Sequence, residues 1–278
     1  MPTAPPDIEL FHAHGRSPAL LLCDHAGRRV PARLGSLGLS DDALSRHIGW
    51  DIGAADVTRR LAQRLDAPAI LNHISRLVVD ANRRPLTPAS IPPVSDGCVV
   101  PGNQALDRAE IERRLHEHFF PYHRAVARQI GRARRAGQLP AIIAVHSFTP
   151  RMNGEDRPWQ VGVLWRGDRR LAEPVLAALR HRGDLVVGDN QPYSGFTDFG
   201  FTVTFHAQRS GLPHVMLEIR QDEIATRLSA ETWADLLADA LEAPLRQPSL
   251  RTPFAGDNRP PDVRWTGWRH ASGVELRP

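Results

Sequence analysis

Glu218 sits in the stretch Pro213-His214-Val215-Met216-Leu217-Glu218-Ile219-Arg220-Gln221-Asp222, where apolar Val215, Leu217 and Ile219 alternate with Met216, Glu218 and Arg220. That period of two describes a strand with one apolar face and a carboxylate on the other. Such a carboxylate has two explanations. It can be half of a buried ion pair with Arg220, which enzymes and non-enzymes both contain, or it can be a general base held on a rigid element. Two histidines favour the second. The apolar runs Ala19 to Cys23 and Ala141 to Val145 each end in one, as Asp24-His25 and as His146-Ser147. A single histidine in a turn is more often structural, but two at the ends of two buried strands are a weaker coincidence.

The remaining elements must bring these groups together. Continuous apolar runs such as Ala19 to Cys23 read as strands buried on both faces of a parallel sheet, whose carboxyl edge is where open α/β sheets place ligands. Val57, Leu61 and Leu65 have helical spacing over residues 51 to 65, and Asp51 stands where a carboxylate can cap that helix. Ala67 to Leu71 and Leu77 to Asp80 read as strands, the second running into Ala81-Asn82-Arg83-Arg84. Residues 85 to 104 are rich in Pro and Gly, and their length marks them as an ordered wall or lid. Asp107 and Glu110 resemble a capping box that opens a helix through Ile111, Leu115, Phe119, Tyr122 and Val126, which Pro121 should kink or split.

Further strands are expected at Val161 to Trp165, Leu185 to Val187 and Phe201 to Phe205, the last ending at His206, with helices at Arg169 to Arg182 and Ser229 to Leu241. The alternation predicts a three-layer α/β/α fold with a mixed, mostly parallel sheet. One domain over residues 1–278 suffices, with its core at about 18–242 and a tail from Pro244 that wraps the surface.

Composition removes several classes of function. The 278 residues carry 35 basic side chains, all of them arginine. Schiff-base chemistry, a pyridoxal phosphate anchor and a phosphate-loop lysine are therefore excluded. Two cysteines far apart form neither a disulfide framework nor a thiolate zinc knuckle. Without a run of about eighteen apolar residues or a secretory signal, the chain is expected to be soluble, cytoplasmic and free of membrane contact. Arg113, Arg114, Arg132, Arg134 and Arg135 are interleaved with Glu110, Glu112 and Glu117, the pattern of a solvated helix, so no nucleic acid partner is expected. His116, His118 and His123 are likewise expected to be solvated.

The segments Cys23-Asp24-His25-Ala26-Gly27, His47-Ile48-Gly49-Trp50-Asp51-Ile52-Gly53, Ser75-Arg76, Asp80-Ala81-Asn82-Arg83, His146-Ser147-Phe148, Gly188-Asp189-Asn190 with Pro192-Tyr193-Ser194-Gly195, and Leu217-Glu218-Ile219-Arg220 resemble, in the same order, the N-formylglutamate amidohydrolase family. That family is similar in fold to the zinc carboxypeptidases. The resemblance implies that His25 and His146 bind a divalent metal, zinc or another, that Asn82 and Arg83 grip a substrate carboxylate, and that Glu218 is the general base. One departure is evident. Carboxypeptidases use His-x-x-Glu, whereas the residue three after His25 is Arg28, which cannot ligate a cation. The third ligand then falls to Asp51 or to Asp24, and Asp24 can instead orient His25 from behind.

The implied reaction is hydrolysis of the amide of an N-acylated acidic amino acid, a small molecule such as N-formyl-L-glutamate. Arg76 would stabilise charge on the carbonyl oxygen, and Tyr193 and His206 are candidates for substrate contacts. Arg76, Arg83, Arg151 and Arg209 are candidates for holding two carboxylates. The competing readings are a peptidase or amidase with another carboxylate-bearing substrate, and a non-catalytic binding relative.

Overall fold

Apolar residues at alternate positions force each central strand to bury both faces. Leu21, Cys23, Ile143, Val145, Val215, Leu217 and Ile219 point to one side, and Leu20, Leu22, Ile142, Ala144 and Met216 to the other. The computed structural model describes residues 7–196 and 200–256, with the paired backbone of Trp268–Arg269 and Glu275–Leu276. Its main sheet comprises β1 (Ile8–Phe11), β2 (Ala19–Cys23), β3 (Ala69–Asn72), β4 (Ala141–Phe148), β5 (Val161–Leu164), β6 (Val187–Asp189) and β7 (His214–Arg220), in the order β1-β3-β2-β4-β7-β5-β6. Pairings from β3 through β7 are parallel, whereas β1 on β3 and β5 on β7 are antiparallel.

After the short helix α1 (Asp41–Ser45), helices α2 (Ala54–Leu65), α5 (Ala172–His181) and α7 (Arg227–Leu245) cover the first face; α4 (Phe120–Arg135) and α6 (Phe201–His206) cover the second. The fold is the expected three-layer α/β/α arrangement with a mixed, mostly parallel sheet. Val57 and Leu61 of α2 and Leu237 and Leu241 of α7 are fully buried in the first layer, and each such side chain is worth roughly 1.5–3 kcal/mol of apolar burial. None of the helices is long and apolar enough to cross a membrane, among the described residues.

Several local expectations are corrected. Leu77 to Asp80 is not a strand: Leu77, Val78 and Val79 are buried in a separate cluster with Ile91, Val100, Leu115 and Phe119, so burial under a loop imitates the apolar run of a strand. Phe201 to Phe205 is helix α6, because Phe201 and Phe205 stack at 5.4 Å between centroids, a contact that needs a period of four. Asp107 caps α3 (Arg108–Arg114) by accepting from the Glu110 N–H at 2.8 Å, but the Glu110 carboxylate serves Arg33 and Arg114 instead of closing the box. Pro121, lacking an N–H, lies at the start of α4, and the chain passes from α3 into it through a π-helical turn at Leu115–Phe119. The strand expected at Leu185 to Val187 is β6, Val187–Asp189, shifted toward the C-terminus. Of the surface tail, Leu250 is buried and Phe254 N–H donates to the Gly211 carbonyl at 2.9 Å; most of residues 257–278 lie outside the described residues.

The wall at residues 85–104 is ordered by one guanidinium. Arg114, 1% exposed, donates to Asn103 Oδ1 at 2.6 Å, to the Gly102 carbonyl at 2.9 Å, to the Val78 carbonyl at 3.3 Å and to Glu110 at 2.9 Å. Asn103 in turn donates to the carbonyls of Leu77 and Pro92 at 2.8 and 2.9 Å. An arginine that composition assigns to a solvated helix face is therefore the fastener of the wall. Arg114→Met should cost about 3 kcal/mol or more in urea unfolding and open residues 85–104 to protease; a change below about 1 kcal/mol with unaltered cleavage would remove Arg114 from this role.

Candidate active site

The chain leaves β2, passes through α2 and returns as β3 on one side of β2, while β4 lies on the other. The carboxyl ends of β2 and β4 therefore diverge at a switch of strand order, where the crevice of an open α/β sheet forms. Asp24 and His25 leave β2 there. His146 lies near the end of β4, and the β4–β7 register sets Glu218 directly beside it. Asp51 arrives from the turn before α2, with its N–H bonded to the His25 carbonyl at 3.0 Å. Gly53 makes that turn possible: its φ is +79°, and a Cβ there would lie 2.2 Å from the Ile224 carbonyl oxygen.

His25, Asp51 and His146 converge, all buried, with one donor atom from each within 4.8 Å of the others. Asp51 Oδ2 lies 3.3 Å from His25 Nδ1 and 2.8 Å from His146 Nδ1, and the two rings are 5.1 Å apart in an edge arrangement. Behind the rings, His25 Nε2 meets Asp80 Oδ1 at 2.7 Å and His146 Nε2 meets Asp24 Oδ2 at 3.1 Å. Tyr122 donates to the other Asp24 oxygen at 2.6 Å. A carboxylate behind each imidazole is the usual backing of a metal-binding histidine, fixing ring orientation and raising ligand basicity. Of the two carboxylates considered for the third ligand, Asp51 faces both Nδ1 atoms and Asp24 stands behind. Asp24 orients His146, however, and not His25; Asp80 takes that part.

Four buried carboxyl groups crowd one site: Asp24, Asp51, Asp80 and Glu218. Against the upward push of burial, Arg76 and His25 hold Asp51 well below the ordinary carboxylate range. Burial opposes ionisation of Asp24 and Asp80 too, but His146 draws the first down, and His25 with Arg83 the second. Glu218 goes the other way: burial pushes it up to about 8, with Asp51 adding to the rise and His146 and Arg76 opposing it. His146, flanked by two carboxylates that outweigh its burial, is raised to about 10. The surroundings thus favour positive charge between the rings, and the N, N, O donor set suits zinc or a similar divalent ion.

The ion-pair explanation of Glu218 does not hold. Arg220 instead binds Asp222 at 2.8 Å and Glu223 at 2.9 Å, and Glu218 Oε2 makes no hydrogen bond among the described residues.

These groups open into a cavity of ≈ 390 Å³, which Arg76, Asn82, Arg83 and Tyr193 also line. A larger cavity, ≈ 790 Å³, lies at the opposite edge of the sheet beside Pro18 and Ala141, and no imidazole is among its described lining residues; the imidazoles gather at the smaller one. Arg76 Nη2 bonds to Asp51 Oδ1 and lies against His25 Nδ1. Asn82 Oδ1 accepts from the Thr202 N–H at 3.0 Å, which assigns its amide orientation. Arg157 donates to the Tyr193 hydroxyl at 3.0 Å and stacks over the same ring at 4.9 Å.

Three expected contacts fall elsewhere. His206 does not line the cavity but is buried against His123, at 2.9 Å. Arg209 packs on Phe205, and Arg151 is exposed beside Asp156. His118 and His123, expected in solvent, are both buried. Residues that sequence reasoning misses include Asp80, Tyr122, Arg157 and His47, the last a cavity-lining imidazole pushed down to about 4 by burial. For His47 and Asp80 the available signal is their place within the segments that resemble the family; for Tyr122 and Arg157 the sequence offers none.

The profile of the family described as N-formylglutamate amidohydrolase matches residues 17–225. Among solved structures, gene product Atu2144 from Agrobacterium tumefaciens is similar at 35% identity and a TM-score of 0.84, over 87% of this chain and 95% of that one. The N-formylglutamate amidohydrolase from Ralstonia eutropha shares the fold at 20% identity and a TM-score of 0.62, over 86% of this chain and 97% of that one. No curated protein matches the chain. The matched segment includes every residue of the site from Asp24 to Glu218, and the chain belongs to the N-formylglutamate amidohydrolase family of hydrolases.

Proposed function

We propose that the protein hydrolyses the amide bond of an N-acylated acidic amino acid, with N-formyl-L-glutamate as the favoured substrate, and that a divalent cation, zinc or a close substitute, is held by His25, Asp51 and His146. The observation that carries this reading is the convergence of those three side chains beside Glu218, a carboxyl group that burial brings to about 8. When bound, the cation supplies Lewis acidity, which polarises a carbonyl and eases ionisation of water.

The protein's own groups do the remainder. Asn82 and Arg83 line the cavity, and a bidentate contact from them to a substrate carboxylate holds the acyl carbonyl in reach of attack. Glu218 takes a proton from the attacking water as its oxygen bonds to the acyl carbon. Arg76 stabilises the charge that develops on the carbonyl oxygen. The C–N bond then breaks as Glu218 returns the proton to the amine, and formate and glutamate leave. Tyr193, whose burial raises its pKa, stays a neutral phenol beside the substrate.

Glu218→Gln should reduce formate release by about 10²-fold or more while leaving metal content intact by elemental analysis; near-normal turnover would place the base elsewhere. Wild-type protein should carry one divalent ion per chain, and Asp51→Ala should lose it. Unchanged stoichiometry in that variant would remove Asp51 from the ligand set. Arg83→Ala should raise KM for N-formylglutamate by about tenfold or more, the scale of a charge-assisted hydrogen bond. A panel of N-formyl and N-acyl amino acids tests the substrate: hydrolysis of acyl-glutamates other than formyl, with none of the formyl compound, would reject it.

A further inference from the structure

His123 and His206 form a buried pair outside the cavity. Their nitrogens are 2.9 Å apart, Nδ1 of His123 to Nε2 of His206, and the rings stack at 5.2 Å with 19° between planes. The other nitrogen of His123, Nε2, lies 3.0 Å from the Ala81 carbonyl oxygen. A carbonyl can only accept, so the proton of His123 is on Nε2. Its Nδ1 therefore accepts, and His206 donates from its own Nε2. Burial holds both rings in the neutral form this requires, His123 at about 4 and His206 well below its ordinary value.

The chain of donors ends on one peptide plane. Ala81 oxygen also accepts from the Thr202 hydroxyl at 3.3 Å. Across the same plane, the Asn82 N–H donates at 2.8 Å to Asp80 Oδ1, the oxygen that meets His25 Nε2. Because the peptide is rigid, holding the Ala81 oxygen also aims the Asn82 N–H and the start of the Asn82 side chain. Helix α6 grips that side chain directly through the Thr202 N–H and secures the preceding carbonyl through His206 and His123. Phe201 and Phe205, stacked on one another and edge-on to His123 at 5.4 and 6.1 Å, close the pair off from water.

We infer that His206 and His123 are positioning residues for substrate carboxylate binding, acting through the Ala81–Asn82 peptide and not by touching substrate. This rests on the reading of Asn82 and Arg83 as the carboxylate grip. A hydrophobic pair would fill the same space, but it would leave the Ala81 carbonyl short of a donor and free the peptide to tilt.

The test compares His206→Leu, which fills the volume without a donor, with His206→Gln, whose side-chain N–H can still reach His123. His206→Leu should raise KM for N-formylglutamate, and the Ki of glutarate as a competing dicarboxylate, about fivefold or more. Its kcat and metal content should stay near wild type, and His206→Gln should restore most of the loss. A purely structural role would lower the melting temperature in both variants and leave KM and Ki alone, which would overturn the inference. Equal impairment by Leu and Gln would overturn it too. Arg83→Ala, assayed alongside, separates the two failures: an unchanged KM there sinks the grip itself, while a raised KM there with a normal His206→Leu sinks only the positioning. Should His206→Leu fail to fold, ring ¹⁵N shifts of the wild-type protein decide. They should show His123 protonated on Nε2 and bare on Nδ1, and the opposite tautomer would overturn the donor chain.

Discussion

Four carboxyl groups buried around two imidazoles set the terms for everything else in this fold. Each is costly to ionise away from water unless a positive partner is at hand. Asp51, enclosed completely, is tolerable as an anion only because Arg76, His25 and His146 surround it. The requirement for positive charge at this spot explains why residues from four distant stretches meet there: β2, the turn before α2, the loop after β3, and β4. It also explains the division of labour among the acids. Asp24 and Asp80 stand on the outer sides of the rings and are held as anions, while Glu218 is left with an oxygen that no group among the described residues satisfies. Separating carboxyl pKa values by environment is how one site obtains both fixed negative charge and a group that can carry a proton.

Rigidity follows from where these groups are rooted. His146 and Glu218 are neighbours across a parallel ladder that continues for seven paired residues, so their separation is a property of the sheet and not of a loop. The β2–β4 register, carried two residues beyond the pair Leu22 with Ala144, brings Asp24 level with His146, which is why that acid serves His146 and not the adjacent His25. His25, one residue further and already off the ladder, needs a partner from a loop. Asp80 meets it, on a segment tied down by Asn103 and Arg114. The long wall is thus ordered for a reason that reaches the cavity: it adjoins the stretch that carries Asp80, Asn82 and Arg83.

What could be read from the sequence was whatever depends on period and order. Alternation in Val215 to Arg220 identifies the strand and the outward side of Glu218, and strand-end histidines locate the crevice. The layer order follows from alternating apolar runs and helical spacings. Contacts that join residues distant in sequence could not be read. Asp80 looks like the end of a strand because Leu77, Val78 and Val79 are apolar, and only the folded chain shows them buried under a loop. His206 looks like a strand residue facing a site, whereas two phenylalanines four apart make its segment a helix and turn its ring toward His123. Arg114 looks solvated because its neighbours are, and its acceptors lie up to 36 residues away.

The absence of lysine acquires a structural meaning at two arginines, Arg114 and Arg76. An ammonium offers one compact charge and surrenders its proton readily when buried, whereas a guanidinium keeps its charge and spreads its donors over a planar fork. At Arg114 the fork spans a carboxylate, a side-chain amide and two carbonyls. No ammonium on a flexible stem can address acceptors so widely spread in one conformation. At Arg76 the same property carries more weight. One nitrogen reaches Asp51 deep in the site while the residue still lines the cavity, so a permanent positive charge is shared between that carboxylate and the open space beside it. A lysine there would titrate with every change in the surrounding carboxylates, and the field in the cavity would vary with it. Arginine holds that field constant and leaves Glu218 as the acid of this cluster that burial raises, to about 8.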